Sequence, residues 1–133
     1  MYHVVIGLDE DESHARLCAE EVLRLPGEPA TKHVTLVHGG VDKPSDGSVT
    51  ELAPVRVASE ALEDAGVACD VTGTSGDPAE AIIDAAAVAD ADLIVVGGRK
   101  RSPAGKALFG SVTQTVILNA GRPVMVTGTP EES

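Results

Sequence analysis

The sequence predicts an α/β fold, a single-domain, open, twisted parallel sheet of five strands with helices on both faces, spanning residues 1–133. Three observations predict it. Short apolar runs rich in β-branched residues alternate with segments of helical periodicity, the pattern of repeated βαβ units. The run Leu93-Ile94-Val95-Val96 is unbroken, as a strand covered on both faces requires. A length of 133 residues with 43% hydrophobic content suits one ordinary domain with its own core, and no repeat or linker divides it.

The first strand is read at about Tyr2–Leu8. A helix over roughly Ser13–Leu25 follows, with Leu17, Cys18, Val22 and Leu25 on one face, and Pro26-Gly27 ends it. The second strand is about His33–His38, and Gly39 to Thr50 forms a polar loop. The second helix covers roughly Ala53–Ala65 with Val55, Ala58, Leu62 and Ala65 apolar. Pro54 is tolerable only in its first turn, where the missing N–H has no partner to lose. The third strand is about Val67–Gly73. Asp77 as N-cap and Pro78 at the first helical position open a helix running to about Ala89. The fourth strand is Asp92–Val96, the last helix about Val112–Ala120, ended by Gly121, and the fifth strand Pro123–Thr127, before a short acidic tail.

Composition excludes several function classes. Acidic residues outnumber basic ones 21 to 10, giving a net charge of −11. Such a chain repels nucleic acid and anionic membrane unless a local patch overrides the field. Aromatics are only 2%, which removes the stacking platforms of single-strand binders. Acid spread along the whole chain points to a halophilic protein, because the Debye length falls to ~3 Å at 1 M salt and self-repulsion is screened. No run approaches the roughly 20 apolar residues of a membrane span, and the N-terminus enters a strand at once, leaving no room for a signal peptide. Cys18 and Cys69, without metal-ligand spacing, read as two buried thiols in a reducing compartment. The expectation is a cytoplasmic protein.

One loop breaks the acidic pattern. Of ten Lys and Arg residues, four (Arg99, Lys100, Arg101 and Lys106) fall between Gly97-Gly98 and Gly110-Ser111, where the last helix opens. A basic, glycine-containing loop feeding a helix N-terminus is what a bound phosphate needs. In an open parallel sheet, ligands lie beyond the carboxyl ends of strands where strand order reverses. If strands one and four are neighbours, the acidic run Asp9-Glu10-Asp11-Glu12 and the basic loop flank one crevice.

The stretch from Asp92 to Met125, above all Gly97 through Thr113, closely resembles the universal stress protein family of small UspA-like domains. The likeness extends to Val5-Ile6-Gly7-Leu8-Asp9, Leu36-Val37-His38, Gly76-Asp77-Pro78 and Pro123-Val124-Met125-Val126. The family's nucleotide-binding branch carries a glycine, two residues, a second glycine, nine residues, then Gly-Ser or Gly-Thr. Gly97 takes the first place here and Gly110-Ser111 the last; Lys100 stands where the second glycine is expected. If the backbone there has φ > 0, a lysine costs about 1 kcal/mol or more, and its Cβ crowds a phosphate. Its ammonium could equally contact a phosphate as a point charge. Both readings are open at this stage.

The resemblance implies a Rossmann-like, adenine nucleotide alpha hydrolase-like sheet in the order 3-2-1-4-5. It implies ATP or another adenine nucleotide as ligand, with Mg²⁺ or Mn²⁺ only alongside its phosphates. It assigns Asp9 to a ribose or base hydrogen bond and the Gly39 backbone to adenine. It places Gly97, Arg99, Lys100, Gly110, Ser111, Val112 and Thr113 around the phosphates through N–H groups and hydroxyls. It also implies a stress-response or regulatory role and a homodimer paired through the fifth strand, where Val124-Met125-Val126 is a plausible edge.

Structural roles stand beside these. Asp9 could simply complement the dipole of the following helix, worth ~0.3–1 kcal/mol. Ser111 with Gln114 fits an S-x-x-Q capping box, and a cap would compete with a phosphate for the same N–H donors. Gly105-Lys106-Ala107 lacks the spacing of a P-loop, and no G-x-G-x-x-G follows the first strand. Of the four histidines, none in metal-ligand spacing, His38 at a strand end is the one expected near the crevice. The acidic run reads as a helix start ahead of a cation site, and no metal ligand is assigned. No nucleophile–base pair is legible and no catalytic residue is assigned, so binding is favoured over catalysis. The alternatives are a nucleotide-free dimeric interaction module altered at Lys100, and an enzyme with adenylyl or slow ATP-hydrolysing chemistry.

Overall fold

The computed structural model describes residues 1–39, 52–74, 76–97, 100–101, 107–108 and 110–128. Strand β1 (Tyr2–Leu8) leads into helix α1 (Glu12–Leu23), a 3-10 turn (Pro29–Thr31) and β2 (Lys32–Gly39). Helix α2 (Ala53–Asp64), β3 (Ala68–Thr74), α3 (Pro78–Ala89) and β4 (Leu93–Val96) follow. A two-residue antiparallel ribbon, β5 (Lys100–Arg101) with β6 (Ala107–Leu108), precedes α4 (Ser111–Asn119) and β7 (Val124–Val126). The main sheet is parallel throughout, in the order β3-β2-β1-β4-β7. This is the predicted order 3-2-1-4-5, with β7 as the fifth strand; the ribbon and the 3-10 turn are not among the predicted elements.

Side-chain alternation sorts the core into two layers. Val4, Ile6 and Leu8 of β1, Val34 and Leu36 of β2, and Val95 of β4 pack against Ala15, Cys18, Ala19 and Val22 of α1 and Val55, Ala58 and Leu62 of α2. On the other face Val5, Val37, Ile94 and Val96 meet Ala79, Ile82 and Ala86 of α3 and Val116 of α4. All four residues of β4 are buried, as its unbroken apolar run predicts. Gly7 lets α3 approach β1: a Cβ there would lie 2.4 Å from Ile82 Cδ1.

Local chemistry sets the helix limits. Helix α1 starts where the Asp11 carboxylate accepts the Ser13 N–H at 2.8 Å. It ends at Leu23, two residues before the predicted Leu25, which still packs against the core beyond the helix. The buried Lys32 ammonium donates to the carbonyls of Leu25 (2.8 Å) and Val22 (3.4 Å), a cation at the negative end of the helix dipole. Helix α2 carries Pro54 in its first turn, as expected, but Ala65 lies just beyond its end and is exposed. Asp77 caps α3 by accepting the Glu80 N–H at 3.0 Å, with Pro78 in the first position. At the other end of α3, Asp90 adopts φ 52°, and Arg122 donates to its carboxylate and to the Ala91 carbonyl. Among the described residues no helix is long and apolar enough to cross a membrane.

The topology creates a crevice. From β1 the chain turns through α1 towards β2, and from β4 through α4 towards β7, so the two connections part on opposite faces of the sheet. Gly7 stands opposite Val96, so β1 and β4 end at nearly the same level. That is the topological switch point at which open α/β sheets receive ligands.

Candidate functional site

Asp9 immediately follows β1, and Gly97 immediately follows β4. The Asp9 carboxylate is held on both oxygens. One accepts the Asp11 N–H at 2.9 Å, and the other lies 2.9 Å from His14 Nδ1. A carboxylate only accepts, so this ring nitrogen donates. His14 is buried in the first turn of α1, its second ring nitrogen 3.8 Å from an Asp11 oxygen. Asp9 therefore does not cap α1; Asp11 does.

Gly97 is enclosed from two sides. A Cβ at this position would stand 3.3 Å from His14 Cβ and 3.3 Å from Thr127 Oγ1. That is tight, so a side chain here would push His14 or Thr127 aside by a few tenths of an ångström, and glycine suits the close approach of the end of β4 to α1 and the residue after β7. The Thr127 N–H donates to the Val96 carbonyl at 2.9 Å, and its hydroxyl lies 3.7 Å from Cys18 Sγ. The Thr113 hydroxyl donates to the Gly97 carbonyl at 2.9 Å. This hydroxyl bond ties α4 to the end of β4.

The capping-box expectation fails. Ser111 is the first helical residue, and the N-cap is Gly110, with φ −68° and ψ 165°. A glycine has no side chain to reach the helix amides, so α4 begins without a side-chain cap. An ideal Cβ on Gly110 would meet nothing within 4 Å. The first-turn N–H groups of Ser111, Val112 and Thr113 carry the partial positive charge of an uncapped helix start. They follow Gly110 in a helix that the Thr113 hydroxyl ties to the Gly97 carbonyl.

Lys100 sits in β5, paired with Leu108. Among the described residues the one non-glycine with positive φ is Asp90, so Lys100 carries no left-handed strain. That removes the backbone-strain part of the first reading. Arg99 lies outside the described residues, as do Gly98, Lys106 and the span 40–51. Gly39 closes β2 opposite Thr74, one residue beyond the Leu8–His38 pair. His38 is buried, with Nδ1 unpartnered.

Sequence reasoning missed His14 and Thr127. Both lie on the Gly97 turn, yet each gets there by long-range packing that residue spacing does not reveal. Neither thiol sits in a setting that favours its thiolate. Burial pushes Cys18 up to about 11, and burial together with the neighbouring Glu63 carboxylate pushes Cys69 to about 11. Cys69 is half-buried, not buried as expected. A separate groove of about 380 Å³ between α3 and the β2–β3 edge, lined by Thr35, Thr72, Asp84 and Val88 among others, shares no residue with the crevice.

The chain matches the profile of the universal stress protein family over residues 1–128. A universal stress protein of Mycolicibacterium smegmatis is 40% identical over 65 residues, 48% of this chain and 50% of that protein. The chain spans about half the length, or less, of the curated relatives it matches. The solved universal stress protein of Archaeoglobus fulgidus is 29% identical with a TM-score of 0.66, covering 95% of this chain and 98% of that one. A universal stress protein from the same organism, solved in complex with dAMP, is 24% identical with a TM-score of 0.65, covering 95% and 97%. These neighbours share the Rossmann-like, adenine nucleotide alpha hydrolase-like fold seen here. With a profile matched over nearly its whole length and a sheet of the same order, the chain belongs to the universal stress protein family.

Proposed function

We propose that this protein binds ATP or another adenine nucleotide in the crevice between β1 and β4, as a stress-response regulator. The observation that carries the reading is the start of α4. A helix N-terminus opened by a glycine and tied to Gly97, with no side-chain cap among the described residues, offers an anion several N–H donors. The phosphates would be held by the main chain of Gly110, Ser111, Val112 and Thr113, the Ser111 hydroxyl, Gly97, and the cations of Arg99 and Lys100. Mg²⁺ or Mn²⁺ would accompany the phosphates. The nucleoside would lie towards Asp9 and the backbone of Gly39. The dAMP-bound relative supports this choice of ligand. Occupancy would tune self-association, with the edge strand β7 pairing across a two-fold axis; an uncovered edge of half-buried Val124, Met125 and Val126 supports that part.

The test uses a residue that helices accept. Proline is favoured at the first helical position, and the extended backbone of Gly110 suits the residue before it. Ser111→Pro should therefore keep the melting temperature while removing one N–H and one hydroxyl from the anion cradle. Hydrogen bonds to charged groups are worth about 1.5–3 kcal/mol, so calorimetric titration at molar salt should show ATP affinity lowered by about 10-fold or more. Wild-type protein that gives no heat and no thermal shift with millimolar ATP or AMP would overturn the proposal in favour of a nucleotide-free interaction module.

A further inference from the structure

The His14 side chain lies against both walls of the crevice. Its ring binds the Asp9 carboxylate at 2.9 Å, and its Cβ and Cγ lie 3.3 and 3.4 Å from where Gly97 would carry a Cβ. The ring is buried, whereas the Asp9 side chain is 53% exposed. A carboxylate is a rotor: the last torsion of aspartate is broad and two-fold, so one hydrogen bond leaves its plane free to turn. Here the Asp11 N–H takes one oxygen and His14 Nδ1 the other. Both bonds together fix the plane, yet each uses a single lone pair of an oxygen that has two. Each oxygen thus keeps acceptor capacity, enough for the carboxylate to take a hydrogen bond from each of two neighbouring hydroxyls on one ring. An unanchored carboxylate would have to be ordered at the moment of binding, and that cost weakens the hydrogen bonds it makes.

We propose that His14 is a positioning residue that holds Asp9 for the ribose hydroxyls, so that the crevice prefers ribonucleotides to 2′-deoxyribonucleotides. The inference rests on the nucleotide reading above. It adds a residue that touches no ligand and acts only through Asp9.

Asparagine and leucine separate this role from packing. His14→Asn keeps an N–H close to the place of Nδ1; His14→Leu fills similar volume without a donor. Calorimetry with AMP and 2′-deoxy-AMP should give a wild-type preference for AMP of about 10-fold, the order expected for one hydrogen bond to a charged group. His14→Leu should bring AMP affinity down to that of 2′-deoxy-AMP, whose own affinity barely moves, and His14→Asn should restore most of the preference. Should His14→Leu not fold, His14→Gln takes its place, because its longer amide reaches past Asp9. A ring that merely packs would weaken both ligands alike in these variants. That result overturns the proposal, as does an undiminished preference in His14→Leu or equal wild-type affinities for the two nucleotides. Wild-type protein that binds neither ligand overturns the nucleotide reading itself, and this inference with it.

Discussion

Gly110→Asp is expected to stabilise the protein and weaken anion binding about 30-fold in a single step. The Gly110 backbone is already that of an N-cap, and a Cβ there meets nothing within 4 Å. Aspartate can therefore accept from the amides of Val112 and Thr113 without strain, and its charge complements the dipole of α4. Cap and dipole together are worth about 0.5–1 kcal/mol, or a rise of about 2–4 °C in melting temperature. The same carboxylate takes the donors a phosphate needs and sets a negative charge beside it. At about 4 Å and near-surface screening that repulsion is at most ~4 kcal/mol; half of it still raises the Kd about 30-fold. Gly110→Asn caps without the charge and should fall between. Thermal melts and calorimetric titrations with ATP on the three proteins check both halves. If Gly110→Asp binds within about threefold of wild type, the phosphates do not rest on this helix.

Leu36→Ala should produce the largest loss of stability. Leu36 is fully buried in β2, within the layer that holds Ile6, Val34 and Leu62. The buried apolar residues described here are valine, leucine, isoleucine, alanine and cysteine. With no aromatic ring among the described core residues to tilt into the gap, and β-branched neighbours held to few rotamers, the cavity stays open. Such truncations cost about 2–5 kcal/mol. A value near 3 kcal/mol lowers the melting temperature by roughly 10 °C for a domain of this size. Leu36→Met keeps the volume and should cost under about 1.5 kcal/mol. Urea unfolding of the two variants at equal salt would measure the difference; a Leu36→Ala loss below about 1 kcal/mol would mean that the layer re-packs.

The sheet was legible because each strand is a short β-branched run, and because Leu93 to Val96 leaves no polar residue to face solvent. The helix starts carrying Asp77-Pro78 and Pro54 were legible for the same kind of reason, since a side chain or ring enforces a local geometry. What sequence missed depends on distance. His14 carries no spacing signal: its partners are a carboxylate five residues back across a turn and a glycine just beyond β4. Ser111-x-x-Gln114 reads as a capping box, but the helix begins one residue earlier than that pattern requires, and Gly110 takes the cap. The strain feared at Lys100 disappears because the segment pairs with Ala107–Leu108 in an extended ribbon, a pairing too short to leave a periodicity. Leu25 belongs to the apolar stripe of α1 yet lies beyond its end, since Pro26 is incompatible with another turn.

Helices α1 and α4 lie on opposite faces of the sheet, each opening beside the same crevice. A molecule reaching from Asp9 to Ser111 would therefore staple two helices that sit on opposite faces of the sheet. Its binding free energy would be spread by mass action over both. Amide exchange would slow in the body of each helix, well away from any direct contact. The saturation of a small site would in this way become a change in the rigidity of the whole domain.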